Sequence, residues 1–319
     1  MIVLGSGVIG LTAAIRLQEA GFAPRLLTRD RPEATTSAVA AAVWYPYRAY
    51  PAHRVLPWSR RTLEVCYDLA ADPTSGVSLI PFVDLFDRPT PPPAWRTAVR
   101  AFRRARPDER PAGYVDGFVA EVPLIETPVH LPYLVARFEA GGGTIEVVPG
   151  GVTDLAALAA SAGLVVNCTG LGARRLVPDP SLYPIRGQVV RVTNPGLTHA
   201  LADDTGPLAI SYVIPRRGDV ILGGTAQDGV WDRTPDPETT REILRKARLL
   251  EPRLADAAVL EARVGLRPGR PTVRLEAERL PGGGTVIHNY GHGGAGFTLA
   301  WGCADEVVAL VRAHHARPA

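Results

Sequence analysis

Lysine is almost missing from this chain of 319 residues: Lys246 is the sole lysine among 35 basic side chains. With Ala, Gly and Pro abundant, that skew reflects the codon usage of a GC-rich genome and says nothing of a ligand. The formal net charge is only +3, and no stripe of basic residues interleaves with aromatics, which excludes a nucleic-acid footprint. Cysteine is sparse as well. Cys66, Cys168 and Cys303 make an odd total without a CxxC pair, so a disulfide framework is excluded and buried packing is their expected role. No run of about 18 apolar residues escapes charged or turn residues, so no membrane span is expected. The first strand begins at Ile2, leaving no room for a signal peptide, and the final His-Ala-Arg-Pro-Ala is not a peroxisomal address. A cytoplasmic location is therefore expected. HExxH and clustered carboxylates are lacking, and no metal is expected.

What is present is core-forming residue and glycine punctuation. Hydrophobic residues make up 46% and charged ones 21%, enough for one large domain or two interleaved ones and too apolar for disorder. Residues 2–5 read as a buried strand. Val8 to Ala20 carry apolar residues at helical spacing and stop at Gly21, and Arg25 to Thr28 read as a second strand. Further on, helices are expected at Leu63–Ala71, from Pro132 to Ala140, at Glu238–Leu250 and at Thr298–Arg312. Strands are expected at Val77–Phe86, Thr144–Val148, Leu164–Asn167, Gln188–Val192 and Val286–Asn289. Ile210 to Gly223 reads as a hairpin turning at Arg217-Gly218-Asp219. The Pro- and Arg-rich stretch from Arg88 to Pro111 reads as a surface excursion. No repeat recurs, so a solenoid is excluded.

The strongest local signal is Gly5-Ser6-Gly7-Val8-Ile9-Gly10, a GxGxxG placed between a strand and a helix. Gly5 permits the tight turn, Gly7 lets backbone approach a pyrophosphate, and Gly10 allows close helix–strand packing. Arg29 and Asp30 lie at the distance where a side chain reaches the ribose, and the pattern does not choose between them. Nor does it separate FAD from NAD. A second glycine-rich run, Asn289-Tyr290-Gly291-His292-Gly293-Gly294-Ala295-Gly296, precedes the closing helix and favours FAD: its bare amides and the helix N-terminus can stabilise an anionic ring edge.

The run Val286 to Gly294, continuing to Thr298 and Trp301-Gly302-Cys303-Ala304, resembles the C-terminal signature of the D-amino-acid oxidase family. Further stretches match in order: Thr35 to Trp44, Asn167 to Gly170, Arg186-Gly187-Gln188, Tyr212 to Arg216 with Gly223-Gly224-Thr225, and Val264 to Pro268. The resemblance implies an α/β fold in which a Rossmann-type FAD-binding domain interleaves with a mixed-sheet substrate-binding domain. The first would comprise residues 1–50, 131–180 and 262–319, the second 51–130 and 181–261. Non-covalent FAD would be contacted by Gly5, Ser6, Gly7, Val8, Ile9, Gly10, Arg29 or Asp30, Thr36, Ser37, Ala41, Ala42, Val43, Trp44 and Val152. Later contacts would be Cys168, Thr169, Gly170, Arg186, Gln188, Arg267, His292, Gly293, Gly294, Gly296, Phe297 and Thr298.

The implied reaction oxidises a D-amino acid, with oxygen as acceptor, to a 2-oxo acid, ammonia and hydrogen peroxide, by hydride transfer from Cα to flavin N5. Arg267 would make two parallel bonds to the substrate carboxylate, Tyr212 would donate its hydroxyl to the same group, and Gly294 would offer its carbonyl to the amine. No general base is required if the amine binds neutral, and His292 is expected to shape the loop. Tyr45, Arg48 and Leu208 depart from the mammalian pattern or stand near the short lid, and are the candidates for side-chain preference. Neutral, apolar side chains are expected. Alternatives are a glycine-, sarcosine- or D-aspartate-type flavin oxidase and, more remotely, a nicotinamide dehydrogenase or a non-catalytic redox sensor. Partners would be the amino acid and oxygen, with a homodimer left open.

Overall fold

The computed structural model describes residues 1–47 and 49–316. The chain opens with β1 (Ile2–Leu4), α1 (Val8–Glu19), β2 (Arg25–Thr28), the short α2 (Thr36–Val39) and α3 (Ala52–Leu69). Then come β3 (Val77–Phe86), β4 (Phe102–Arg104), β5 (Asp116–Ile125), α4 (Thr127–Ala140), β6 (Thr144–Val147) and α5 (Leu155–Ala162). They are followed by β7 (Leu164–Asn167), α6 (Ala173–Leu176), β8 (Tyr183–Val192), β9 (Ala200–Asp203), β10 (Ser211–Pro215) and β11 (Val220–Gly223). The chain closes with β12 (Gln227–Asp228), α7 (Pro237–Leu250), β13 (Val259–Gly269), β14 (Arg274–Arg279), β15 (Thr285–Tyr290) and α8 (Gly296–His315).

Two sheets result. The first runs β14-β15-β7-β1-β2-β6, parallel except for β14. Its central strands carry apolar residues in consecutive positions, Ile2–Leu4 in β1 and Leu164–Val166 in β7, because both faces are covered. Val3, Val166 and Ile287 point to one side, among Leu11, Leu134, Trp301 and Val307 of α1, α4 and α8. Leu4, Val165 and Val286 point to the other, against Leu155 and Ala159 of α5. α1 ends in a Schellman turn: Phe22 N–H donates to the Leu17 carbonyl, and Gly21 takes the left-handed φ of +87° that the turn demands.

The second sheet runs β12-β8-β11-β10-β9-β3-β5-β4, with β13 also paired to β8. On one face Val190, Val213 and Leu222 meet Ile243, Ala247 and Leu250 of α7. The opposite face carries Phe82, Val189, Ile214 and Ile221, and part of it is turned toward a large cavity.

Several expectations are corrected. α3 starts eleven residues before Leu63, because Val55 and Trp58 pack on α8 and the Pro57 ring is accommodated within the helix. α4 likewise begins at Thr127 and carries Pro132 inside, held by the burial of His130, Leu131, Leu134 and Phe138. The Arg88–Pro111 stretch is not only surface: Trp95 is buried edge-on against Trp44, and β4 pairs with β5. Residues 262–269, grouped from sequence with the Rossmann part, belong to β13 of the second sheet, whereas α3 packs with α8 beside the first.

The crossing of α3 and α8 is tight. A Cβ at Gly302 would lie 2.3 Å from the Trp58 carbonyl oxygen, and Gly302 N–H donates to Thr62 Oγ1. Overpacking there has backbone on both sides and no side chain to yield, so Gly302→Val is expected to lower stability by about 1–3 kcal/mol or more in denaturant titration.

Candidate active site

A cavity of about 1210 Å³ lies between the two sheets, lined by the β1–α1 turn, the 34–47 segment, the ends of β2, β7 and β15, and the open face of the second sheet. At one end the glycine-rich turn is tightly built. Gly5 has a φ of +101°, and a Cβ on it would meet the Cys168 carbonyl oxygen at 2.6 Å; one on Gly10 would fall 1.8 Å from Gly5 O. Gly10 therefore packs the helix onto the strand and does not line the cavity. Val8 N–H donates to Ser37 Oγ, joining the turn to the Thr-rich segment. Ser6 Oγ donates to the Asp30 carbonyl and accepts from Thr28 Oγ1, which braces the end of β2. Arg29 and Asp30 both line the cavity and pair with each other at 2.6 Å.

Gly7, Val8, Ile9, Thr36, Ser37, Ala41, Ala42, Val43, Val152, Cys168, Thr169 and Gly170 also line the wall, as do His292, Gly293, Gly294, Gly296, Phe297 and Thr298. Thr36 Oγ1 donates to the Leu266 carbonyl and so ties the first segment to β13. Asn289 Oδ1 and Nδ2 and His292 Nε2 are buried and have no hydrogen-bond partner among the described residues, although both side chains border the cavity. Burial pushes the His292 pKa down to about 3, so the ring is neutral across the physiological range.

Arg267 and Tyr212 are brought together from β13 and β10. Each is seated where the facing strand has no side chain. A Cβ on Gly187 would lie 2.2 Å from an Arg267 guanidinium nitrogen, and one on Gly223 would lie 1.9 Å from Tyr212 Cζ. Arg267 donates to the Thr225 carbonyl at 3.0 Å, leaving further guanidinium donors for a ligand. Burial pushes the Tyr212 hydroxyl upward while the adjacent Arg267 pulls it back, so it stays protonated and can donate.

Not every expected residue reaches the cavity. Trp44 is fully buried and donates Nε1–H to the Ser59 carbonyl. Arg186 and Gln188 turn away to clamp the 232–236 loop: Arg186 donates to the Asp232 and Thr234 carbonyls, and Gln188 bonds Asp236 and Thr240. Leu208 packs against the α7-covered core and gives its N–H to Asp203. Arg48 lies outside the described residues. Tyr45 does line the cavity, and so do residues the sequence reading passed over: Tyr47, Phe82, Asp204, Ile210, Ile214, Trp231 and Arg233. Phe82 and Ile214 sat in strands already expected, so their alternation was a usable signal. Tyr47 had none: its ring fills the place where a Cβ on Gly294 would stand, 2.5 Å from Tyr47 Cδ1.

The chain matches the family model described as FAD dependent oxidoreductase over residues 1–310. It is 54% identical to the D-amino-acid oxidase of Rubrobacter xylanophilus over 98% of this chain and 95% of that protein. It is 46% identical to the D-amino-acid oxidase of Streptomyces coelicolor over 97% and 96%. In fold it is similar to glycine oxidase from Geobacillus kaustophilus, with a TM-score of 0.79 over 98% and 94% at 17% identity. The chain belongs to the FAD-dependent oxidoreductase family, and its cofactor is FAD. The cavity suits such a group, since its wall combines bare glycine backbone with the orphaned polar atoms of Asn289 and His292 around a volume of about 1210 Å³. Among the described residues no helix is long and apolar enough to cross a membrane.

Because His292 is held neutral by burial, its protonation does not gate turnover. The pH profile of kcat/KM in a His292→Asn variant should keep the wild-type limbs between about pH 5 and 9; loss of an acidic limb would contradict this.

Proposed function

We propose that this protein oxidises D-amino acids to 2-oxo acids, with release of ammonia and hydrogen peroxide. The observation that carries the reading is the Arg267–Tyr212 pair, held on bare backbone at the wall of the cavity that also contains the dinucleotide turn. A planar guanidinium with free donors recognises a carboxylate bidentately, and a protonated Tyr212 adds a third donor. Two relatives at 46% and 54% identity, both named D-amino-acid oxidase, support the same reading.

Bound FAD supplies the two-electron acceptor, which molecular oxygen regenerates. The chain's own work is orientation. Arg267 and Tyr212 fix the carboxylate, the Gly294 carbonyl accepts from the amine, and the fixed carboxylate and amine leave one direction for the Cα–H bond. A mirror-image substrate held by the same two groups directs its side chain there instead. No group of the wall is needed as a base for a neutral amine, in keeping with a neutral His292. We assign the dinucleotide to Gly5–Ile9, Thr36, Ser37, Ala41–Val43, Val152, Cys168–Gly170 and the 292–298 run, with Arg29 and Asp30 at the adenosine end. Residues of the first sheet and its helices would hold the cofactor, and the second sheet the substrate, in the cytoplasm.

Arg267→Ala should lower kcat/KM on D-alanine or D-valine at least about 100-fold, since two charge-assisted bonds of roughly 1.5–3 kcal/mol each are lost. The yellow chromophore should co-purify unchanged. Peroxide release with near-normal turnover in that variant would contradict the assignment.

A further inference from the structure

One end of the cavity is not used by the chemistry above. Strand pairing places Asp84 opposite Ala202, Ala202 opposite Tyr212, and Tyr212 opposite Gly223. Residues paired in this way share a face of the sheet, so Asp84 points to the same side as Tyr212, two strand spacings or about 10 Å away. Phe82, two residues before Asp84, and Ile214, two after Tyr212, are on that side as well and line the cavity.

Asp84 is only 2% exposed. Its Oδ2 accepts from the Tyr45 hydroxyl at 3.1 Å, and its Oδ1 has no hydrogen-bond partner among the described residues. Asp204 lines the cavity and is close enough to Tyr45 and Tyr212 to oppose ionisation of both hydroxyls. Burial, and then the charge of Asp204, push the Asp84 pKa up to about 7. Asp204 also shares a hydrogen bond with Tyr45, while the neighbouring Asp203 holds the loop together, accepting from Tyr114, Thr205, Gly206 and Leu208.

An unmatched buried carboxyl is a costly arrangement unless a donor completes it; Asp84 is not itself part of the cavity lining, and its contact with the cavity is through Tyr45, which is. A long aliphatic stem would lie along Phe82, Ile214 and Ala202 while its charged head met Asp204 at the wall, the way such side chains divide between apolar and polar surroundings. We propose that Asp204, with Asp84 adding its charge next to Tyr45, receives the cationic head of the substrate's side chain, so that D-lysine and D-arginine are preferred to neutral D-amino acids of the same length. This rests on the D-amino-acid reading and replaces the expectation of neutral, apolar side chains. D-aspartate and D-glutamate would be rejected by like charge.

The test is steady-state peroxide production by the FAD-loaded enzyme on D-lysine and on D-norleucine, which has the same four-carbon stem without the ammonium. The wild type is expected to favour D-lysine at least about tenfold in kcat/KM, equivalent to about 1.4 kcal/mol. Asp204→Asn and Asp84→Asn should each bring that ratio toward one, chiefly by raising KM for D-lysine, with D-norleucine as the reference within each variant. Should the buried Asp84→Asn fail to fold, Asp204→Asn and the wild-type ratio decide. A wild-type ratio at or below one, or a ratio that survives Asp204→Asn, overturns the proposal while leaving D-amino-acid oxidation intact. Oxidation of no D-amino acid, D-norleucine included, refutes the underlying reading and this inference with it.

Discussion

The Arg267 guanidinium rests against the bare backbone of Gly187 and donates to the Thr225 carbonyl, while the Tyr212 ring rests in the same way over Gly223. This contact of a functional side chain with a strand stripped of its own side chains is the constraint on which the cavity depends. A single methyl group at either glycine would occupy the position of the group it supports. Glycine inside a strand weakens it by loss of packing and chain entropy. Here the loss is offset by neighbours: β8 pairs with β13 along its length, and on its other side with β12 at Ile185–Arg186 and with β11 at Val189–Val192, so the sheet survives the missing side chains.

The two ends of the cavity are electrostatically distinct. At the dinucleotide end the wall is largely backbone and small residues, and the buried His292 ring is held neutral by desolvation. Toward the second sheet the wall carries Arg267, Tyr45, Tyr212 and Asp204, with Asp84 bonded to the Tyr45 hydroxyl. The Arg186 and Gln188 clamp serves a different purpose. By fixing the 232–236 loop it positions Trp231 and Arg233 at the wall without entering the site itself.

Much of the first sheet was legible because parallel, doubly covered strands write their burial directly into apolar runs: Arg25–Thr28 and Leu164–Asn167 coincide with the observed strands. The glycine-rich turns were legible for a related reason, since only glycine takes the φ at Gly5 or fits the approach at Gly10. What escaped depends on tertiary context. Pro57 and Pro132 suppress a helix by local propensity, yet α3 and α4 run through them because their apolar faces are buried. Trp44, Arg186 and Gln188 lie beside cavity residues in sequence, and the alternation of side chains or the needs of a nearby loop turn them away. Asp84 and Asp204 are far apart in sequence and meet only through the β3–β9 pairing, which no local pattern announces.

The central claim is that Arg267 and Tyr212 present D-amino acids, and not their mirror images, to bound FAD. The direct measurement is an anaerobic absorbance spectrum of the purified protein before and after addition of D-norleucine or D-lysine, with the L-forms as controls. Bleaching of the oxidised flavin band by the D-forms alone is the predicted result. A flavin band that no D-amino acid bleaches, or that L-forms bleach equally, would contradict the account.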